Sequence, residues 1–272
     1  MASRIVVGIN GSDADAGAVA WAAKVAARDG GTLLIFSVIA SGNAGNELEP
    51  RAKELLAGHA EAARAVAPNV ELRTEVHHAK SLPEGFEEVS ADADLLVIGR
   101  DSRGKRSRSP AVVRIAAASK APVVAIPETD VGGRRGVVVG VDGSDPSRLA
   151  LDFAAAEASA SGEPLIAAIG WQLSAGLGYE YAYGEDFAKA TARSSGEELD
   201  RSLEPIEAQY PDLEIQRVVT EGHPVDVLTK QAENARLLVV GTHGRGAFRR
   251  LLLGSVSHEL LQDVTIPTVV VR

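Results

Sequence analysis

Two glycine-marked loops in the second half of the chain hold the residue types from which a phosphate cradle is built. The first is Val141-Asp142-Gly143-Ser144-Asp145-Pro146. Asp145 suits a helix N-cap and Pro146 the first helical position. Asp142 places a carboxylate at the carboxyl end of an apolar strand, where it can bond a ribose hydroxyl or help hold a metal on phosphates. A purely structural role for Asp142 stands open beside those. The second loop runs from Gly241 through Thr242, His243, Gly244, Arg245 and Gly246 to Gly254 and Ser255. Glycine at 241 and 244 lets a ligand approach backbone that a β-carbon would shield. Gly254, Ser255 and Val256 open a helix, whose free N–H groups and dipole favour an anion. Arg245, Arg249 and Arg250 add cations nearby, although loop arginines are ordinarily just solvated.

These loops need a frame that brings them together. Short Val/Ile/Leu runs alternate with Ala-rich helical segments. In the second half the strands are expected near 136–141, 164–170, 213–219, 236–241 and 267–271, with helices starting near 146, 187, 224 and 255. The strands are continuously apolar rather than alternating, as expected when helices cover both faces of a parallel sheet. That pattern predicts a doubly wound α/β sheet, with any ligand at the carboxyl ends of the strands near the topological switch point.

The chain is written twice. The stretch from Ile5 to Ala23 repeats from Val137 at an offset of 132 residues, and the stretch from Ala93 repeats from Ala235 at an offset of 142. Ala121-Pro122-Val123 recurs as Ile266-Pro267-Thr268, at an offset of 145. Repetition on this scale means two copies of one domain. The expected domains are 1–130 and 134–272, joined through the Gly- and charge-rich stretch Thr129–Arg135.

Gly140-Val141-Asp142-Gly143-Ser144, followed by Gly241-x2-Gly244-x9-Gly254-Ser255, resembles the universal stress protein family in its tandem form. Glu221-Gly222-His223-Pro224 fits the same pattern. The resemblance covers nearly the whole chain. It implies two Rossmann-like (flavodoxin-like) domains, each with a five-stranded parallel sheet, and ATP bound in the second. Asp142 would then lie near ribose or phosphate-bound Mg, and Gly241 and Gly244 near ribose and the first phosphate, with Gly143, Ser144 and Arg245 as further candidate binding residues in the same two loops. Gly254, Ser255 and Val256 would cradle the outer phosphates. The adenine pocket would lie beside Gly170-Trp171, where Trp171 either stacks on the base or simply packs. The resemblance also implies pairing of the last strands, so that 122–126 and 267–271 run antiparallel and make an internal pseudo-dimer. Further pairing of two chains is compatible with this.

The first copy departs from the pattern. Asn10 stands for Asp142, Ser102 for Gly244, Ser109-Pro110 for Gly254-Ser255, and Lys80 for Gly222. Proline at 110 removes an N–H where the second copy offers one. Weak or no ATP binding is expected there. Gly99-x4-Gly104-Lys105 approaches a P-loop, but Arg106 replaces the required hydroxyl. The basic residues from Arg100 to Arg108 are read as solvated, with an acidic partner as the specific alternative. No two of the six histidines have the spacing of a helical zinc site, and no Gly-x-Ser-x-Gly elbow is present.

Bulk properties narrow the function classes. A net charge of −9 over 272 residues argues against general nucleic-acid binding. Residues 1–130 hold 15 Lys and Arg against 17 Asp and Glu, so most of the excess lies in the second half, where an anionic ligand must rely on local donors. The absence of cysteine excludes disulfides and thiolate metal sites. No apolar run is long enough for a membrane span and the N-terminus lacks a signal-peptide core, so the expected location is the cytoplasm. The expected function is ATP-dependent stress-response regulation, with nucleotide setting conformation or assembly. A slow ATPase or phosphotransferase, and a nucleotide-independent interaction module, are the alternatives.

Overall fold

The computed structural model describes residues 3–41, 47–100, 110–128, 132–172, 180–244 and 253–272. Strands and helices alternate along the first copy as β1 (Arg4–Gly8), α1 (Ala14–Arg28), β2 (Thr32–Ala40), α2 (Leu48–Val66), β3 (Glu71–Ala79), α3 (Leu82–Ser90), β4 (Leu95–Gly99), α4 (Pro110–Ala118) and β5 (Val123–Ile126). The second copy repeats the order as β6 (Val137–Gly140), α5 (Asp145–Ser161), β7 (Leu165–Trp171), α6 (Glu180–Gln209), β8 (Ile215–Glu221), α7 (Pro224–Ala232), β9 (Leu237–Gly241), α8 (Ser255–Gln262) and β10 (Thr268–Val271). The chain divides into two compact units, one of Met1–Asp130 with Leu261–Val270, the other of Val131–Leu260 with Val271–Arg272.

In the first unit the strand order is β3-β2-β1-β4-β5, all parallel, and β10 then pairs antiparallel with β5. Thr268 lies opposite Ala125 and Val270 opposite Val123, which is the antiparallel pairing of the last strands that the resemblance implies. In the second unit the order β9-β6-β7-β8 is again parallel. The fold is therefore α/β and Rossmann-like, with two such domains in tandem.

Burial follows position in the sheet. Central strands β1, β4, β6 and β9 are apolar and buried almost end to end, whereas edge strands β3 and β8 are largely exposed and carry polar side chains. Helices α1 and α5 meet the sheet through alanines, including Ala18, Ala22, Ala154 and Ala155, all fully buried. Small side chains bring helix and sheet axes close, and the closeness has a sequence cost at the strand ends. A β-carbon on Gly99 would meet Ala14, and one on Gly241 would come 2.7 Å from the backbone of Pro146. These are equivalent places in the two copies, so the glycine closing β4 or β9 is required by the packing of a helix start.

Helix α6 starts at Glu180, earlier than the expected 187, and runs 30 residues with Pro205 inside it.

Candidate functional site

In the second unit β6 lies between β9 and β7, and the chain leaves β6 through α5 toward β7. The strand order thus diverges at β6 and β9, and a crevice opens at their carboxyl ends. A cleft of about 380 Å³ occupies this place. Its apolar wall comes from Ala168, Ile169 and Gly170 at the end of β7 and from Pro224 and Leu228 of α7. Asp142, His243, Gly244, Gly254, Ser255 and Val256 supply the polar side.

The loop after β6 is built around Asp142. Gly143 has φ +76°, a left-handed conformation that suits glycine and reverses the chain. The reversal brings Ser144 back onto Asp142, and both the backbone N–H and the hydroxyl of Ser144 donate to Asp142 Oδ1, at 2.9 and 2.6 Å. Ser144 Oγ also accepts from the N–H of Ser147 and so caps α5. The cap is therefore Ser144 and not Asp145, which sits in the first turn and pairs with Arg148 on the surface. The Asp142 N–H donates to Ser147 Oγ at 3.0 Å. The backbone and hydroxyl of Ser144 thus orient the carboxylate of Asp142, a residue that lines the cleft.

The glycines have reasons inside the protein as well as toward a ligand. A β-carbon on Gly244 would collide with Asp142 Oδ2, and one on Gly254 would lie 3.1 Å from the Thr242 carbonyl and 3.2 Å from His243 Cα. The loop after β9 is pressed against the loop after β6, and glycine is what permits it. Ser144 Oγ adds a contact of 3.3 Å to the His243 carbonyl.

The start of α8 is fixed by Thr242. Its carbonyl accepts from Gly254 N–H at 2.6 Å and from Ser257 Oγ at 2.9 Å, while its own N–H donates to Val271. Gly254 N–H, expected to face an anion, is spent on this internal bond. The donors left for a ligand are those of the first turn of α8, beginning with Ser255 and Val256, which by helix geometry have no intrahelical acceptor. Their dipole adds positive potential at the cleft.

Asp142, Gly241, Gly244, Gly254, Ser255 and Val256 are thus brought to one cleft from three parts of the sequence. Gly143 and Ser144 shape the loop without lining the cleft. Trp171 does not line it either. It follows Gly170 on a strand, where adjacent side chains point to opposite faces. Arg245, with Arg249 and Arg250, lies outside the described residues. Leu228 has no signal in the sequence beyond an apolar helix start after β8, which needs the topology before it means anything, and Pro224 stands out there only as the end of the Glu221–Pro224 pattern. A β-carbon on Gly140, the last residue of β6, would lie 3.0 Å from Leu228 Cδ1, so α7 is seated tightly beside the cleft.

Elsewhere, the near P-loop from 99 to 106 falls mostly outside the described residues. Arg100, its described member, is not a solvated loop cation. Its guanidinium donates to the carbonyls of Gln262 and Val264, at 2.8 and 3.3 Å. Among the described residues there is no group of three or more His, Asp or Glu able to hold a metal, and no helix long and apolar enough to cross a membrane.

The comparisons with known proteins agree with this architecture. The universal stress protein family model matches residues 1–127 and 133–272. Universal stress protein Rv2005c of Mycobacterium tuberculosis is 31% identical over 291 residues, covering 98% of this chain and 96% of its own. A universal stress protein of Mycolicibacterium smegmatis is 30% identical, with the same coverage. In structure, the chain superposes on a universal stress protein from Archaeoglobus fulgidus with a TM-score of 0.75 at 17% identity, over 100% of this chain and 99% of that one. A parallel sheet flanked by helices, with loops converging on a cleft at its carboxyl ends and the element order written twice in one chain, places the protein in the class of tandem Rossmann-like α/β proteins. Within that class, the chain belongs to the universal stress protein family.

Proposed function

We propose that this protein is an ATP-binding stress-response regulator in which nucleotide occupies the second-unit cleft and sets conformation or assembly. One observation carries the reading: the same cleft of about 380 Å³ has an apolar wall on one side and, on the other, an oriented carboxylate beside a helix N-terminus. An adenine base suits the wall of Ala168, Ile169 and Leu228. Phosphates suit the first turn of α8, and Asp142 suits a ribose hydroxyl or a phosphate-bound Mg. Because the described residues lining the cleft include a single carboxylate, most ligands of such an ion would be phosphate oxygens and water. On this reading ATP is a ligand and its turnover is slow. The two domains are read as 1–130 and 134–272, held as an internal pseudo-dimer through β5 and β10. A further homodimer, a cytoplasmic location and the absence of nucleic-acid binding belong to the same reading.

Calorimetric titration of nucleotide-stripped protein with ATP and Mg tests it, beside the Gly254→Asp variant checked for wild-type thermal unfolding. About one ATP per chain, lost in the variant, is expected. A stoichiometry near two would put a second site in the first unit. No heat with ATP, AMP or cyclic AMP would refute the nucleotide reading and favour a pure interaction module.

A further inference from the structure

The first unit repeats the cleft-forming elements, yet two sets of its own side chains occupy the equivalent places. The loop after β1 holds Asn10 where the second copy has Asp142, and Asp15 where it has Ser147. The carboxylate has moved from the outside of the loop to the inside. Asp15 is 1% exposed, and its Oδ2 accepts from the backbone N–H groups of Asn10, Gly11 and Ser12, at 2.9, 2.7 and 3.2 Å. Its Oδ1 accepts from the Ser12 hydroxyl at 2.9 Å. Successive N–H groups converging on one point next to a helix start form an anion nest. Here the anion is part of the chain. In the second copy Ser147 offers a neutral hydroxyl that accepts only the Asp142 N–H.

The apolar side is filled in the same way. Gly8 on β1 is in register with Phe36 on β2, as Gly140 is with Ala168. Phe86 on α3 stands where α7 has Leu228. Ala168 and Leu228 are walls of the second-unit cleft. Phe36 and Phe86 are buried, with ring centroids 5.0 Å apart in an edge-to-face contact. Two flat rings therefore hold the positions from which Ala168 and Leu228 wall the second-unit cleft, and a carboxylate occupies the nest in the loop after β1.

We propose that the first unit is self-liganded: Phe36 and Phe86 fill the place of the aromatic part of a ligand, and Asp15 supplies the anion of the nest in the loop after β1, holding that loop closed without any small molecule. The unit is a fixed version of the domain, insensitive to nucleotide concentration. The comparison with a ligand rests on the reading of the second-unit cleft as a nucleotide site, whereas the closed loop and its test concern residues of the first unit alone.

Hydrogen exchange of residues 8–15 in the full chain tests the proposal, with formate as the probe because it is the carboxylate that Asp15→Ala removes. In the wild type, exchange of the Asn10, Gly11 and Ser12 amides is expected to be slow and unchanged by phosphate or by ATP and Mg. In Asp15→Ala it should rise at least about tenfold, as expected for lost charge-assisted bonds, and formate should restore it where chloride at equal ionic strength does not. Asp15→Asn, which keeps an acceptor but loses the charge, should also exchange fast, and it supplies the reading if the alanine variant fails to fold. Exchange in Asp15→Ala as slow as in the wild type, or no effect of formate, would overturn the proposal. So would Asp15→Asn behaving as wild type, or protection of the wild-type loop by added phosphate. For the rings, Phe36→Ala with Phe86→Leu installs the residues of the second copy and should open a hole that benzene fills. A benzene-dependent rise in unfolding temperature confined to that variant is expected, and its absence would refute the role of the rings.

Discussion

Asp142 Oδ2 lies in the space where a β-carbon on residue 244 would have to be, although the two residues are a hundred positions apart in sequence. Glycine at 244 and aspartate at 142 are therefore one choice. Gly244→Ala is expected to displace the carboxylate and destabilise the unit by about 1–3 kcal/mol, as overpacking does. Adding Asp142→Ala should recover part of that loss, giving a coupling of at least about 1 kcal/mol in a double-mutant cycle. Urea unfolding of the four proteins measures it, and strict additivity would show that some other atom blocks position 244.

Glycines in different settings should respond with opposite signs. Gly241→Ala drives a methyl into the Pro146 backbone, and a loss of about 1–3 kcal/mol is expected. Gly196 lies inside α6 with nothing within 4 Å of a built β-carbon. Gly196→Ala should stabilise by roughly 1 kcal/mol through helix propensity. A pair of chemical denaturation curves decides both.

His77 gives the first unit a pH dependence. Its Nδ1 faces Glu75 at 2.9 Å and its Nε2 faces Glu88 at 2.8 Å, tying β3 to α3. Burial pulls the pKa of His77 down, but the bonds to Glu88 and Glu75 outweigh it and leave the net pKa above the ordinary value. A group raised in the folded state stabilises fully below its unfolded pKa, near 6.5, and that contribution fades as pH climbs through the folded value. The unfolding temperature of the wild type should therefore fall, relative to His77→Gln, as pH rises above about 6.5. Parallel melting profiles of the two proteins across neutral pH would contradict this.

Ser257 holds the entrance to α8. Its hydroxyl is buried and shared between the carbonyls of Thr242 and Gly254. Ser257→Ala should cost about 1 kcal/mol, the usual worth of one such bond. If phosphates bind at this helix start, the variant should also weaken ATP several-fold by calorimetry. Unchanged affinity with reduced stability would place the phosphates elsewhere.

What the sequence disclosed follows from what kind of physics was at stake. All five strands of the second copy fall within two residues of their expected limits, because a strand buried on both faces has to be apolar throughout. The duplicated loops were equally plain, since spacing alone displays them. Individual roles were harder. Ser144 and Asp145 are both good caps, and the left-handed turn at Gly143 decides between them only once the backbone exists. For Trp171 the sequence leaves stacking on a base and simple packing equally open, and it takes the strand's alternation and the cleft lining to separate it from Gly170. Asp15 passed unremarked because an aspartate near a helix start is ordinary until three amides are seen to converge on it. The glycines at 241 and 244 were read as space for a ligand, and the structure adds that neighbouring backbone and Asp142 already demand them.

The pairing of β10 with β5 has a consequence for synthesis. The strand that covers the outer edge of β5 comprises residues 268–271, so the first unit reaches its final strand order only after the rest of the second copy has been synthesised. Until then a nascent chain carries the bare apolar edge Val123–Ile126, the kind of edge that recruits foreign strands. A ribosome stalled anywhere in the second copy leaves that edge open, and a nonsense codon ahead of residue 268 does the same. Thr268–Val271 is therefore a completion signal for the first unit: a chain that lacks it is an aggregation hazard, however well its earlier segments have folded.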